Sequence, residues 1–178
     1  IVPDRIEDTV AAIRRARAAG ADVLVTTGGA SVGDYDFVQK AFAAEGVSLS
    51  FWKVALRPGR PLMHGILGDM HVLGLPGNPV SAFVCAFLFM VPLLRRLAGR
   101  GDVIPQTESA LLGSDLPAND ERANYLRATL SAGTATPLPL QDSSMMQALA
   151  KADCLVIREP FDPARRAGDA CRILKLPL

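Results

Sequence analysis

The chain has 178 residues, of which 49% are apolar and 21% charged, and its formal net charge is +1. That composition supplies a sizeable core and excludes a disordered chain. Acids and bases are interspersed, which excludes a dedicated nucleic-acid or membrane-surface binder, since either would carry a basic patch or stripe.

Pro3-Asp4-Arg5-Ile6-Glu7 reads as a helix start, with Asp4 as the cap and Glu7 three residues later. Ile6, Val10 and Ile13 then recur on one face, Arg14, Arg15 and Arg17 fall mostly off it, and Gly20 ends the helix. Asp22-Val23-Leu24-Val25 reads as a buried strand. It runs into Thr26-Thr27-Gly28-Gly29-Ala30-Ser31-Val32-Gly33-Asp34-Tyr35-Asp36, a glycine- and hydroxyl-rich joint before a second helix, Phe37 to Glu45, stopped by Gly46. Glycines permit positive φ and close approach of a ligand. Successive N–H groups there, with the positive end of the following helix, make a seat for an anion such as phosphate. Asp36 is placed to hold a cation beside that anion, because hard metals take carboxylate oxygens. A helix cap is the open alternative, since Asp36-Phe37-Val38-Gln39 also fits a capping box. Helix, strand, loop and helix at this spacing predict a parallel sheet covered by helices, with ligands at the carboxyl ends of its strands.

Phe51 to Leu56 reads as a strand leading into Arg57-Pro58-Gly59-Arg60-Pro61. The prolines stiffen this loop, and arginine suits bidentate capture of oxyanions. Standing alone, the loop fits a surface turn with two solvated arginines slightly better. Pro61 to Gly68 and His71 to Leu75 read as two strands joined at Gly68-Asp69, with His64 and His71 facing across the hairpin. Two histidines without a carboxylate or thiolate partner favour a structural role over a metal site. Gly74-Leu75-Pro76-Gly77-Asn78-Pro79 is a second strand–loop–helix joint, with Asn78 as cap and Pro79 in the first turn. Its helix runs toward Leu97, bent near Pro92, and its N-terminus adds a second anion-attracting dipole. The apolar stretch Ala82 to Leu94 is shorter than the roughly 18 residues of a membrane span and carries Pro92, so a helix buried on most sides of an α/β core is expected.

Gly99 to Pro105 reads as a linker, dividing the chain into an α/β domain at 1–100 and a β-rich domain at 101–178. Strands are expected at Ala110–Leu112, Tyr125–Leu130, Leu138–Leu140, Leu155–Ile157 and Cys171–Leu176, and a short helix around Ser143–Ala150. Turns separate them at Ala132-Gly133-Thr134 and Pro160-Phe161-Asp162-Pro163. Arg122, Arg127, Ser143 and Ser144 are candidate anion-binding groups, with ordinary surface roles open for each. Cys85, Cys154 and Cys171 form no Cys-x-x-Cys pair and sit among apolar residues, which points to free thiols in a reducing cytoplasm. The chain begins at Ile1 without a signal peptide and reads as a fragment of a longer protein.

Four segments in this order resemble one family. They are Thr27 to Asp36, Phe51 to Pro61, Gly74-Leu75-Pro76-Gly77-Asn78-Pro79-Val80-Ser81, and Gln141-Asp142-Ser143-Ser144. The family is the molybdopterin molybdenumtransferases, called MoeA in bacteria and the E domain of gephyrin in animals. The first segment is also similar to the single-domain molybdopterin adenylyltransferases. The Arg-Pro-Gly-Arg-Pro and Pro-Gly-Asn-Pro loops, with the β-rich tail, narrow the resemblance to the transferase.

The resemblance implies an α/β fold: a three-layer molybdopterin-binding domain of the MogA-like type, N-terminally truncated, followed by a small β-rich, barrel-like domain. It implies that adenylylated molybdopterin and molybdate are the substrates, that a divalent cation (magnesium or another) is used, and that AMP is released as molybdenum stays on the dithiolene. Thr27, Gly28, Gly29, Ser31 and Gly33 would then cradle the pyrophosphate and Asp36 the cation. Arg57 and Arg60 would hold molybdate, at positions where the family often has lysine. Pro76, Gly77, Asn78 and Pro79 would line the substrate pocket, and Arg122, Arg127, Ser143 and Ser144 match a family stretch that lines it from the second domain. The family's cleft is completed in a homodimer by further domains, so the fragment is expected to bind nucleotide or pterin weakly and turn over poorly. No nucleic-acid or membrane partner is implied. An adenylyltransferase and a non-catalytic scaffold are the rival functions.

Overall fold

The computed structural model describes residues 1–28, 37–142 and 146–177. It divides into two compact units, one formed by Ile1–Val54 with Gly59–Ala86, the other by Ala55–Pro58 with Phe87–Leu178. The main division falls inside a helix at Ala86 and Phe87, ahead of the 99–105 stretch, and a four-residue piece from the earlier sequence belongs to the later unit.

The first unit opens with helix α1, Ile6–Ala18. Its N-cap is Arg5 and not Asp4, and Arg5 makes no side-chain cap bond. The Arg5 guanidinium instead donates to Asp8 at 2.6 Å. Glu7 and Asp8 in the first turn and Arg15 and Arg17 in the last suit the helix dipole. The C-terminus ends as expected: Gly20 at φ +71° lets Ala21 N–H reach back to the Ala16 carbonyl at 3.1 Å. Strand β1 follows at Val23–Thr27, then helix α2 at Phe37–Ala44 and strand β2 at Ser48–Phe51. The Phe51–Leu56 strand is therefore corrected. The ladder ends at Phe51, and Val54 N–H closes on the Arg60 carbonyl at 3.1 Å, within its own loop. Only the two residues of β3, Leu56–Arg57, resume a ladder, and they do so in the second unit.

Strands β4, Met63–Leu67, and β5, Met70–Leu75, form the expected hairpin, with Gly68 at φ +63° in the first turn position. The sheet order is β1-β5-β4-β2, with β1 and β5 parallel and the other pairs antiparallel. Alternation puts Met63, Leu67, Met70 and Val72 on the face that α1 and α2 cover through Ile13, Ala41 and Phe42. His64 and His71 point to the other face, where their Nε2 and Nδ1 lie 3.2 Å apart and His64 Nδ1 lies 3.2 Å from Ser50 Oγ. Burial, then the neighbouring imidazole, holds His64 below the ordinary histidine pKa, and the two rings form a hydrogen-bonded clasp across the hairpin.

The helix from Pro79 to Leu97 has three parts: α3, Pro79–Cys85; a π-helical turn, Ala86–Met90; and α4, Val91–Leu97. Pro92 offers no N–H to the carbonyl a turn earlier, and the loosened π turn just ahead of it absorbs that break without ending the helix. The helix thus runs to Leu97 as expected. At 19 residues with mean hydropathy 1.8 it has the length and apolarity of a membrane span. It is less buried than expected: Val80, Ser81, Val84 and Cys85 are buried, and no residue from Ala86 to Leu97 is.

The second unit is a closed barrel. Its strands are β6, Glu108–Leu112; β7, Ala123–Ser131; β8, Thr134–Pro137; β9, Cys154–Arg158; and β10, Ala170–Lys175. They run in the order β7-β8-β6-β10-β9, and β9 pairs back onto β7, while β3 lies parallel to the start of β7. Short helix α5, Met146–Ala150, precedes β9. Ala132 at φ +46° and Gly133 at φ +77° make the two-residue turn that joins β7 to β8. That turn fixes the register Ser131 to Thr134, so the strand lies at Thr134–Pro137 and not at Leu138–Leu140, where Pro139 could not donate to a ladder. Small and medium side chains fill the barrel, including Ala110, Leu112, Ala128, Ala135, Cys154 and Ile173. All three cysteines are free.

Two contacts hold the barrel's rim. Gly113 presses on β8: a Cβ there would stand 1.9 Å from Thr136 Oγ1 and 3.1 Å from Thr136 Cα. Buried Arg158 binds Asp162 at 2.5 Å and the carbonyls of Pro117 and Pro163, while Arg165 binds the other Asp162 oxygen at 2.8 Å. Burial alone would raise the Asp162 pKa, but the hydrogen bonds from Arg165 and Arg158 outweigh it and hold the carboxyl below the ordinary range.

Gly113→Ala is expected to lower stability by about 1–3 kcal/mol in urea denaturation, because the backbone of Thr136 must give way. The depressed Asp162 pKa contributes stability that is full above the unfolded carboxyl value of about 4 and is lost as pH falls through the folded value. Urea melts from neutral to acid pH should show Asp162→Asn less stable at neutrality and with a shallower acid decline than the unsubstituted chain.

Candidate functional site

Because β1 and β5 are parallel and adjacent, their carboxyl ends lie together, with Thr27 paired to Leu75. Both glycine-containing joints therefore leave the sheet at one corner. Gly28 N–H donates to the Leu75 carbonyl at 3.2 Å, with Gly28 at φ +81°. A Cβ added to Gly77 would stand 3.2 Å from Gly28 Cα, so only bare backbone permits this approach. From Gly77 the chain turns through Asn78, the N-cap of α3, into Pro79 in the first helical turn. Ala82 N–H bonds the Asn78 carbonyl at 2.8 Å, but the Asn78 side chain caps nothing. Its Oδ1 is buried without a hydrogen-bond partner, and so is Thr26 Oγ1. The unsatisfied Asn78 oxygen at the start of α3 is what a polar ligand would meet, whereas Thr26 Oγ1 lies on the core face beside Gly74 and Met63.

The structure thus brings together Thr27, Gly28, Pro76, Gly77, Asn78 and Pro79. Arg60 belongs to the same unit, with an exposed side chain and a carbonyl that accepts the N–H groups of Val54 and Leu62. The preceding Gly59 carbonyl accepts the Cys85 thiol at 3.6 Å, which ties this loop to α3. Burial pushes that thiol up to about 12, so it stays protonated and structural. Gly29, Ser31, Gly33 and Asp36 lie outside the described residues.

The remaining candidates lie in the second unit. Arg57 on β3 donates to Asp120 at 2.7 Å, and Arg122 donates to the same oxygen at 3.3 Å. A cavity of about 220 Å³ is lined by Arg57, Asn119, Asp120, Asn124 and Arg158 among others. Arg127 on β7 is 1% exposed, and its Nε and Nη1 have no hydrogen-bond partner. Its backbone N–H and carbonyl are both taken by the Gln141 amide, at 3.0 and 2.8 Å. Burial lowers the Arg127 pKa, with Asp142 opposing. The sequence reading left a surface role open for Arg127; the structure buries it. Ser143 and Ser144 lie outside the described residues, and among those described no group of three His, Cys, Asp or Glu side chains could hold a metal ion.

Residues 1–96 match the family model described as a probable molybdopterin binding domain, and residues 109–176 match that of the MoeA C-terminal region, domain IV. The chain is 32% identical over 157 residues to a molybdopterin molybdenumtransferase of Staphylococcus aureus strain COL, covering 86% of this chain and 38% of that protein. It is 32% identical over 177 residues to the protein of the same name in Bacillus subtilis strain 168, covering 97% and 41%. The chain thus spans about two fifths of the length of these curated relatives. Among solved structures, it superposes on the molybdopterin biosynthesis MoeA protein of Pyrococcus horikosii with a TM-score of 0.81 at 26% identity, covering 98% of this chain and 42% of that one. A molybdenum cofactor biosynthesis protein from Pyrococcus furiosus shares the fold, with a TM-score of 0.77 at 24% identity, covering 99% and 56%.

Gly77→Ala is expected to push the Gly28 backbone off its bond to Leu75. Amide hydrogen exchange should then quicken at Gly28, with the β4–β5 hairpin amides unchanged.

Proposed function

The chain belongs to the family of the probable molybdopterin binding domain, and on that premise we propose that it serves molybdenum cofactor biosynthesis as part of a molybdopterin molybdenumtransferase. The observation that carries this reading is the corner where Gly28 and Gly77 meet at the ends of two parallel strands, beside the unsatisfied buried oxygen of Asn78. A phosphate-bearing pterin needs close backbone approach and a helix start, and this corner offers both. Thr27, Gly28, Gly29, Ser31 and Gly33 cradle the phosphoanhydride of adenylylated molybdopterin. Pro76, Gly77, Asn78 and Pro79 line the pterin side.

The guanidiniums of Arg57, Arg60, Arg122 and Arg127 serve the oxyanions, molybdate among them, through charge-assisted hydrogen bonds. Ser143 and Ser144 supply hydroxyl donors. Asp36 holds the divalent cation, magnesium or another, which when bound polarises the phosphoanhydride for hydrolysis. AMP leaves and molybdenum remains on the dithiolene. The reaction needs no protein nucleophile. Arginine at 57 and 60, where lysine is common in the family, keeps the charge and adds a planar fork of donors.

The match of residues 109–176 to the MoeA C-terminal region supports this reading over the adenylyltransferase, which uses the same glycine loop. We place the protein in the cytoplasm as a homodimer. The test is a direct assay of the full-length protein. Molybdate-dependent AMP release from adenylylated molybdopterin is expected, abolished by Asp36→Ala with folding and dimerisation intact. ATP-dependent adenylylation of molybdopterin in its place would overturn the reading in favour of the adenylyltransferase. A dimer without either activity would favour a scaffold, and unfolding of Asp36→Ala would return Asp36 to a helix cap.

A further inference from the structure

Arg57 and Arg122 are 65 positions apart in sequence but end on one atom. Nη2 of each donates to Asp120 Oδ2, at 2.7 and 3.3 Å. The second carboxylate oxygen accepts the Arg122 backbone N–H at 3.1 Å. The carboxylate itself sits on a fixed base. The Asp120 carbonyl accepts Phe161 N–H at 2.8 Å, and Asn119 N–H bonds the Asp162 carbonyl at 2.8 Å. The Asn119 side-chain amide bonds the carbonyls of Arg122 and Glu159, at 2.8 and 2.7 Å. Arg57 is fixed from its own side, because β3 pairs with β7 and Ala123 N–H bonds the Ala55 carbonyl at 2.9 Å.

We propose that Asp120 is a positioning residue that joins Arg57 and Arg122 into one two-guanidinium cradle for a tetrahedral oxyanion of the molybdate class. The proposal rests on the oxyanion role given to these arginines above. A guanidinium has five N–H donors, and each of these two commits only one to Asp120. Arg122 Nε is buried without a hydrogen-bond partner, 3.8 Å from a Glu121 oxygen. The side chain of Arg57 is 46% exposed, so without an anchor it would give up its rotamer freedom only when an anion arrived. One carboxylate between two guanidiniums also relieves their mutual repulsion and leaves the trio with a net positive charge. A lysine at 57 could not do the same: its ammonium is a compact point charge, whereas the planar fork of arginine can face a carboxylate and an oxyanion at once. Arginine at 57 and aspartate at 120 therefore belong together.

The experiment is titration calorimetry of the full-length protein with sodium molybdate, and with tungstate and sulfate in parallel, at fixed ionic strength. Asp120→Asn is expected to weaken molybdate binding about tenfold, the loss of one charge-assisted hydrogen bond. The midpoint of thermal unfolding should stay unchanged, and Asp120→Glu should recover part of the affinity. In an Arg57→Ala background, Asp120→Asn should cost nothing further. Equal or tighter binding by Asp120→Asn would overturn the proposal, by making the carboxylate a competitor of the oxyanion. An undiminished loss in the Arg57→Ala background would overturn it too. Should Asp120→Asn fail to fold, Arg57→Lys carries the test: a similar loss supports the cradle and an unchanged affinity sinks it. Absence of molybdate binding by the unsubstituted protein would overturn the oxyanion role itself, and the cradle with it.

Discussion

The first unit depends on one close approach, backbone against backbone, at the ends of two parallel strands. Gly28 and Gly77 come near enough that a methyl group at Gly77 would press on the Gly28 backbone. Parallel pairing of β1 with β5 brings them there, and a hairpin could not, because antiparallel partners would carry the two joints to opposite ends. The same pairing requires α2, β2 and β4 to be threaded between the two strands, so the crossover that makes the corner also makes the core. Ile13, Ala41 and Phe42 close one face of the sheet and hold the strand ends in register. The corner is thus a product of topology, with glycine as the only residue small enough to complete it.

The second unit solves a different problem. Five short strands have too little area to cover a sheet face with helices, and the ladder instead returns on itself through β9 and β7. Closure removes the open edges that short strands would otherwise present to other chains. The interior is narrow, which explains why alanines at 110, 128 and 135 occupy it. At the rim Arg158, Asp162 and Arg165 satisfy one another and the neighbouring carbonyls.

The joint after β5 was legible in the sequence because it depends on local chemistry: an apolar run, then glycine and proline at the start of a helix. The hairpin at Gly68 and the turn at Ala132-Gly133 were legible for the same reason. What could not be read was set by partners distant along the chain. Phe51 to Leu56 has strand composition, yet its peptides bond within the loop or leave for another unit. Leu138 to Leu140 looked as good a strand as its neighbours, but register fixed by a tight turn placed the ladder earlier. Arg127 looks like a surface residue in sequence and is almost fully buried, on the strand face opposite Leu126 and Ala128. Asp120 carries no motif at all, and only the fold reveals that two arginines end on it.

The short strand β3 has a consequence for how this chain can be taken apart. It lies between the two pieces of the first unit, yet its ladder partner is the start of β7. No single cut yields both modules whole: a C-terminal piece begun at Phe87 would lack Leu56–Arg57 and the ion pair that Arg57 brings. During synthesis the strand emerges long before its mate and must wait for it, a non-local closure of the kind that slows folding. Gene fusions, domain exchanges and split reporters built from this protein would have to respect that interleaving, and a graft of the barrel alone would need a surrogate strand supplied to it.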